Sequence, residues 1–147
     1  MTVPRDPIVI LVADDDEEDR MLTREALEDR GLANELRFVE DGEEALDYLQ
    51  RRGKYADPWT SPKPGIILLD LNMPKKGGAE VLAVLKTDPE LRDIPVFVLT
   101  TSRAEEDKDR VYDMGGSSYI NKPVTFETFL EMVGSVTGYR LQIVAGN

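Results

Sequence analysis

The amino-acid sequence predicts a doubly wound α/β domain in which helices cover both faces of a five-stranded parallel sheet. Short apolar runs alternate with amphipathic segments five times along the 147 residues. Short connections of this kind form right-handed βαβ units, which place the strands parallel. The alternation alone does not fix the order of the strands, and we expect the order 2-1-3-4-5.

The first strand and helix are predicted from residues 8–30. Residues 8–13 are apolar throughout, as expected of a strand that is buried on both faces. The segment 17–30 has acidic residues in its first turn, and Leu22, Ala26 and Leu27 give it one apolar face. Gly31 is a natural C-terminal stop, so one βα unit is complete there.

The second unit and the loop after it are predicted from residues 36–65. Residues 36–39 form a weaker strand, and Asp41 is the expected N-cap of a helix that ends near residues 51–53. The segment 54–65 contains three prolines. We therefore predict that it is neither helix nor central strand, and that it forms a loop.

The remaining units follow the same alternation. Residues 66–70 and 95–100 read as the third and fourth strands, with a helix between them that is broken by Asp88 and Pro89. Ser102 has the capping-box spacing for a helix over 103–114, and residues 117–121 form the fifth strand. Thr125 is the expected cap of the last helix.

Composition excludes several classes of function. The chain has 29 acidic and 18 basic residues, a net charge of -11, which argues against nonspecific binding to nucleic acid or anionic membrane. It has no cysteine and no histidine. Disulfides, thiol catalysis, a Ser-His triad and a phosphohistidine on this chain are therefore excluded.

Length and hydropathy give three further expectations. No apolar run approaches the roughly 20 residues that span a bilayer, so we expect a cytoplasmic location. A chain of 147 residues suits a single domain. We expect that domain to have its core at about 8–137, a C-terminal tail at 138–147 and no output domain.

Polar side chains stand at the carboxyl ends of four predicted strands: Asp14 and Asp15, Asp70, Thr100 and Lys122. Each alone is typical of a cap, a turn or a surface charge. Together they share one edge of the sheet, where open α/β sheets bind ligands. Carboxylates about 4 Å apart repel by about 4 kcal/mol at an effective dielectric near 20. These carboxylates need a cation between them, and their oxygen atoms favour a hard ion such as Mg²⁺. We expect a phosphoryl group to bind beside that ion.

Four segments carry a resemblance to a known family: ILVADDD, IILLDLNMPKKGG, DPELRDIPVFVLTTS and GGSSYINKP. In this ordered set the chain resembles the receiver domain of two-component response regulators, over about residues 8–137. It is most similar to stand-alone regulators that partner phytochrome-type histidine kinases. That narrower likeness depends on DPELRDIP, on LTTS and on the proline-rich loop before the third strand.

The resemblance implies a phosphoacceptor and a metal site. Asp70 would accept the phosphoryl group from a phosphohistidine of a sensor kinase. Mg²⁺ would be bound by Asp15, Asp70 and the backbone carbonyl of Asn72, with Asp14 acting through water. The side chain of Asn72 would also influence the rate of dephosphorylation. Thr100 would donate its hydroxyl to the phosphoryl group.

The resemblance also implies a conformational switch. Lys122 would pair with a phosphoryl oxygen, and the peptide bond between Lys122 and Pro123 would be cis. Tyr119 matches the aromatic residue that turns inward after phosphorylation. Thr101 and Ser102 stand where the family adjusts turnover of the acyl phosphate. Thr101 is bulkier than the usual residue, so we expect it to narrow access to the phosphoryl group.

Two other functions compete with this interpretation. An aspartate-nucleophile phosphatase also uses a strand-end aspartate and Mg²⁺, but it needs a second aspartate where this chain has Asn72. A receiver-like binding module would act without phosphorylation, yet Asp15, Asp70, Thr100 and Lys122 are all present. We expect the output to be contact with another protein or feedback on the kinase. The apolar residues of the tail would dock on the parent domain or form a homodimer interface.

Overall fold

The computed structural model describes residues 8–71, 73–101, 115–116 and 118–137. Five parallel strands form one sheet in the order β2-β1-β3-β4-β5, which confirms the predicted order. The strands are β1 (Val9–Ala13), β2 (Leu36–Val39), β3 (Pro64–Asp70), β4 (Val96–Thr100) and β5 (Ser118–Asn121). The described α-helices are α1 (Glu17–Glu28), α2 (Gly42–Leu49), α3 (Gly78–Thr87) and α4 (Phe126–Thr137).

An apolar cluster lies on each face of the sheet. Alternate strand residues such as Leu11 and Leu69 pack with α2 and α3. Their neighbours, such as Ile10 and Leu68, pack with α1 and α4 on the other face. Because successive side chains of a strand point to opposite faces, a strand covered on both sides must be apolar at every position. This explains the continuous apolar runs of β1 and β3.

Helix α1 begins at Glu17 as predicted, but the face that it buries is rotated from the predicted one. The Asp16 carboxylate accepts hydrogen bonds from the backbone N–H groups of Glu18 (2.8 Å) and Asp19 (3.2 Å). Leu22, predicted to face inward, is 43% exposed, so that prediction is wrong. Thr23 is buried instead, because it lies one helical turn before the buried Leu27, whereas Leu22 is rotated away from that face.

The loop before β3 is shorter than predicted. Residues Gly53–Tyr55 form a 3-10 turn, and the central strand already begins at Pro64, so the prediction of a loop over 54–65 is wrong at both ends. Pro64 is tolerated because it is the first residue of the strand. The register with β1 shifts at the same point, between Val9 and Ile10. The absent N–H of Pro64 therefore costs little.

Several other predictions concern helix ends. Thr125 caps α4, since its hydroxyl accepts a hydrogen bond from the backbone N–H of Thr128 at 3.2 Å. Asp41 caps α2, since its carboxylate accepts a hydrogen bond from the backbone N–H of Glu44 at 2.7 Å. The predicted helix over 103–114, its cap at Ser102 and the tail 138–147 lie outside the described residues. Among the described helices, none is long and apolar enough to cross a membrane.

Candidate functional site

The carboxyl ends of β1 and β3 bring three carboxylates together. Asp14 and Asp15 directly follow β1, and Asp70 is the last residue of β3. One carboxylate oxygen from each of these residues lies within 4.8 Å of the others. Asp14 is fully buried and Asp70 is 6% exposed, whereas Asp15 is open to solvent. The acidic group predicted from the strand ends is therefore present as a geometric cluster.

Lys122, which follows β5, reaches into this cluster. Its ammonium Nζ lies 2.7 Å from Asp70 Oδ2, 2.9 Å from Asp14 Oδ2 and 3.1 Å from Asp19 Oδ2. Its backbone N–H donates to the carbonyl oxygen of Thr100 at 2.8 Å, and its peptide bond to Pro123 is cis. One largely buried cation thus contacts three carboxylates from distant parts of the chain.

The surroundings of Asp14 and Lys122 shift both of their pKa values upward. Burial raises the pKa of the Asp14 carboxyl, and this outweighs the opposing attraction of Lys122. Burial alone would lower the pKa of Lys122, but its hydrogen bond to Asp70, its ion pair with Asp14 and the charges of both carboxylates raise it above the ordinary value. The lysine therefore stays charged at neutral pH.

The oxygen atoms of this cluster suit a hard divalent cation. Asp14 Oδ1 accepts the backbone N–H of Asp16 at 3.1 Å. Asp14 Oδ2 is buried and makes no hydrogen bond with any described residue, so its contact with Lys122 is an ion pair only. A buried carboxylate oxygen without a hydrogen-bond donor is a natural metal ligand. Because the donors of the cluster are carboxylate oxygens, the residues fit Mg²⁺.

Two residues of the site were missed by the sequence analysis. Asp19 contacts Lys122, and the guanidinium of Arg20 donates to the backbone carbonyl of Asp14 at 2.8 Å and pairs with Glu40 at 3.4 Å. The available signal was helical periodicity. Asp19 and Arg20 lie one turn after Asp15 and Asp16, so α1 returns them to the end of β1.

Three of the remaining predicted site residues lie at this edge or near it. Thr100 is the last residue of β4 and is half-buried, and exposed Thr101 follows it. Half-buried Tyr119 lies on β5 opposite Val98, two residues deeper in the sheet than Thr100. Asn72 and Ser102 are outside the described residues. The structure thus gathers Asp14, Asp15, Asp70 and Lys122 directly, and it puts Thr100 at the same edge.

A glycine holds the loop after β3 close to the site. The backbone N–H of Gly78 donates to the carbonyl of Leu71 at 2.9 Å. A Cβ at this position would meet the carbonyl oxygen of Asp70 and would lie 2.7 Å from the Cα of Leu71. Only glycine permits this approach, which explains why Gly78 begins α3 directly behind Asp70.

Comparisons with known proteins agree with this geometry. Residues 10–134 match the family described as "Response regulator receiver domain". Response regulator Rcp1 from Synechocystis sp. is 40% identical over 138 residues, which are 94% of this chain and 92% of Rcp1. The solved Mn²⁺-bound form of Rcp1 has a TM-score of 0.73 at 38% identity, covering 92% of this chain and 99% of that one.

Two further solved structures are similar over nearly the whole chain. The bacteriophytochrome response regulator AtBRR has a TM-score of 0.84 at 39% identity, covering 95% of this chain and 99% of its own. The phosphorylated cyanobacterial phytochrome response regulator RcpA has a TM-score of 0.75 at 38% identity, covering 92% and 99%. By its motifs, its sheet and these relatives, the chain belongs to the response regulator receiver domain family and is related to the phytochrome response regulators.

Proposed function

We propose that this protein accepts a phosphoryl group on Asp70 from a phosphohistidine of a sensor histidine kinase in a Mg²⁺-dependent reaction. The observation that carries the proposal is the position of the Asp70 carboxylate, 2.7 Å from Lys122 and clustered with Asp14 and Asp15. The relatives named as phytochrome response regulators support a phytochrome-type kinase as the donor.

The proposed chemistry is phosphoryl transfer to a carboxylate. A carboxylate oxygen of Asp70 attacks the phosphorus, the P–N bond to the kinase imidazole breaks, and its electron pair stays on that nitrogen. The product is an acyl phosphate. Asp70 suits this role because it lies at the open end of β3, where it is 6% exposed and its oxygen is already directed by Lys122.

The other residues position and neutralise the phosphoryl group. The ammonium of Lys122 offsets charge on its oxygens, and the Thr100 hydroxyl donates a hydrogen bond to it. Mg²⁺, held by Asp15, Asp70 and the carbonyl of Asn72, with Asp14 acting through water, would supply further positive charge to those oxygens. This chain therefore promotes phosphoryl transfer mainly by reducing the charge repulsion between the anionic phosphoryl donor and the carboxylate cluster.

The proposed output is a change at the β4–β5 side of the sheet. Phosphorylation adds about -1.5 to -2 charges at Asp70. Thr100 moves toward that charge, and Tyr119 on the neighbouring strand turns inward to fill the space it leaves. The altered surface would then be recognised by a protein partner. A Tyr119 ring that keeps the same rotamer in the phosphorylated protein, measured by NMR, would exclude this switch.

The proposed metal site predicts a specific loss of affinity. Asp15→Asn removes one carboxylate ligand, so we expect Mg²⁺ affinity to fall by at least about tenfold in calorimetric titration. Asp16→Asn is the matched control. It makes the same change at the adjacent residue, outside the cluster, and asparagine caps a helix as well as aspartate does. Equal losses in the two variants would contradict the assignment.

The proposed function is tested by phosphorylation with acetyl phosphate. The wild-type protein incubated with acetyl phosphate and Mg²⁺ should show a retarded band in a phosphate-affinity gel, and Asp70→Asn should not, because its amide cannot form an acyl phosphate. Chelating the Mg²⁺ should abolish the wild-type shift. A shift that persists in Asp70→Asn would refute the assignment of the phosphoacceptor.

A further inference from the structure

The loop over residues 51–63, between α2 and β3, presents an unshielded aromatic residue. Trp59 is the single tryptophan of the chain, and it is 92% exposed. Tryptophan is usually largely buried, and a fully solvated indole leaves a large apolar surface in water. This exposure has no role in the site around Asp70.

The exposure of Trp59 does not come from a loose backbone. Four hydrogen bonds fix the residues around it. They join Trp59 N to Asp57 Oδ1 (2.9 Å), Ser61 N to Asp57 O (2.9 Å), Arg37 Nη1 to Thr60 O (3.0 Å), and the Tyr48 hydroxyl to Pro62 O (2.8 Å). Ser61 is itself buried. A loop that is already ordered loses little conformational entropy when it binds a partner.

The charge of this loop is opposite to that of the protein. Its basic residues are Arg51, Arg52, Lys54 and Lys63 against one acid, Asp57, a formal charge of +3 in a chain whose total is -11. Arg52 and Lys54 are 55% and 72% exposed, and they contact acids of α2 at 3.2 Å and 3.5 Å. Exposed ion pairs contribute at most about 1 kcal/mol. These cations can therefore exchange their present partners for other carboxylates.

We propose that residues 51–63 form a docking surface for an acidic segment of another protein that covers Trp59 with an apolar side chain. Tryptophan and arginine are the residues that most often dominate binding energy at protein interfaces. The acidic remainder of the chain repels such a segment and directs it to this loop. The loop thus combines an apolar anchor with complementary charge.

The part of the docking surface that adjoins β3 lies at the opposite end of the sheet from the phosphoacceptor. Pro64 begins β3 directly after the loop, and Asp70 ends the same strand. At about 3.3 Å per residue, the two ends of β3 are about 20 Å apart. A partner held at Trp59 therefore leaves the edge with Asp70 open, and this inference does not depend on the proposed phosphoryl transfer.

A peptide titration tests the proposal. The probe is a short fluorescein-labelled peptide of alternating Asp and Leu, compared with the same peptide carrying Lys in place of Asp. We expect the acidic peptide to bind saturably and to shift the emission of Trp59 to the blue, and we expect the lysine peptide to do neither. Trp59→Ala, and separately Arg51→Glu with Arg52→Glu, should weaken binding at least about tenfold in fluorescence anisotropy.

The matched control is the double variant Arg24→Glu with Arg30→Glu, which alters the net charge of the protein by the same amount. Arg24 is an exposed residue of α1, and Arg30 is an exposed residue just after that helix. This control should bind like the wild type, and Trp59→Ala should still be phosphorylated by acetyl phosphate. No binding of the acidic peptide, equal weakening by the control, or full affinity in Trp59→Ala would overturn the proposal. Two other results would overturn it by identifying a different occupant. One is a dimer in light scattering that Trp59→Ala dissociates, and the other is binding of Trp59 to phosphatidylglycerol vesicles.

Discussion

Lys122→Met is expected to lower the rate of phosphoryl uptake from acetyl phosphate by about 10²–10³-fold, the usual cost of removing one preorganised charge donor from a reacting anion. The side chain keeps its unbranched apolar stem but loses the ammonium that lies 2.7 Å from Asp70 and 2.9 Å from Asp14. Quantified phosphate-affinity gel bands over time give the rate.

The control for this variant is Lys54→Met, which removes a lysine that is 72% exposed and outside the acidic cluster. Its rate should equal that of the wild type. Lys122→Met should also remain folded in Mg²⁺, which can offset the carboxylates that the lysine no longer contacts. A folded Lys122→Met protein with the wild-type rate would show that the ammonium has no part in phosphoryl transfer.

Gly78→Ala is expected to destabilise the protein by about 1–3 kcal/mol, because the added methyl group overpacks a closed region. The new Cβ would meet the carbonyl oxygen of Asp70 and would lie 2.7 Å from the Cα of Leu71, both of which are backbone and cannot move alone. The shift required at Asp70 should also slow its phosphorylation. Urea unfolding measures the free energy of unfolding, and the gel assay measures the rate.

The chain offers a matched control at Gly134. A Cβ at this exposed position of α4 meets nothing within 4 Å. Gly134→Ala should therefore stabilise the protein by about 0.5–1 kcal/mol, the difference in helix propensity. If Gly78→Ala is as stable as the wild type, the close contact of α3 with the end of β3 does not have the structural role we assign to it.

The sheet and most of the site could be predicted because both depend on local patterns. Strands such as β3 are apolar at each position from Ile66 to Leu69, and the polar residue that ends each run lies at the edge where parallel strands meet. Asp14, Asp15, Asp70 and Lys122 were therefore identified together without any knowledge of side-chain positions. Their convergence follows from topology alone.

The errors have a different origin, since they depend on rotation and on register. Which face of α1 is buried is decided by how the helix packs, and this exposes Leu22. The start of β3 is decided by pairing with β1, which tolerates Pro64 at a register shift. Neither property is encoded in the residue types near these positions, so a pattern of apolar and polar residues cannot supply it.

The central claim, that Asp70 is the phosphoacceptor, is tested most directly by locating the modification. The protein is phosphorylated with acetyl phosphate and Mg²⁺, reduced with borohydride so that an acyl phosphate becomes homoserine, digested and sequenced by mass spectrometry. We predict homoserine at position 70, in the segment that ends β3. Homoserine at Asp14, Asp15 or any other aspartate, with Asp70 unmodified, would contradict the claim.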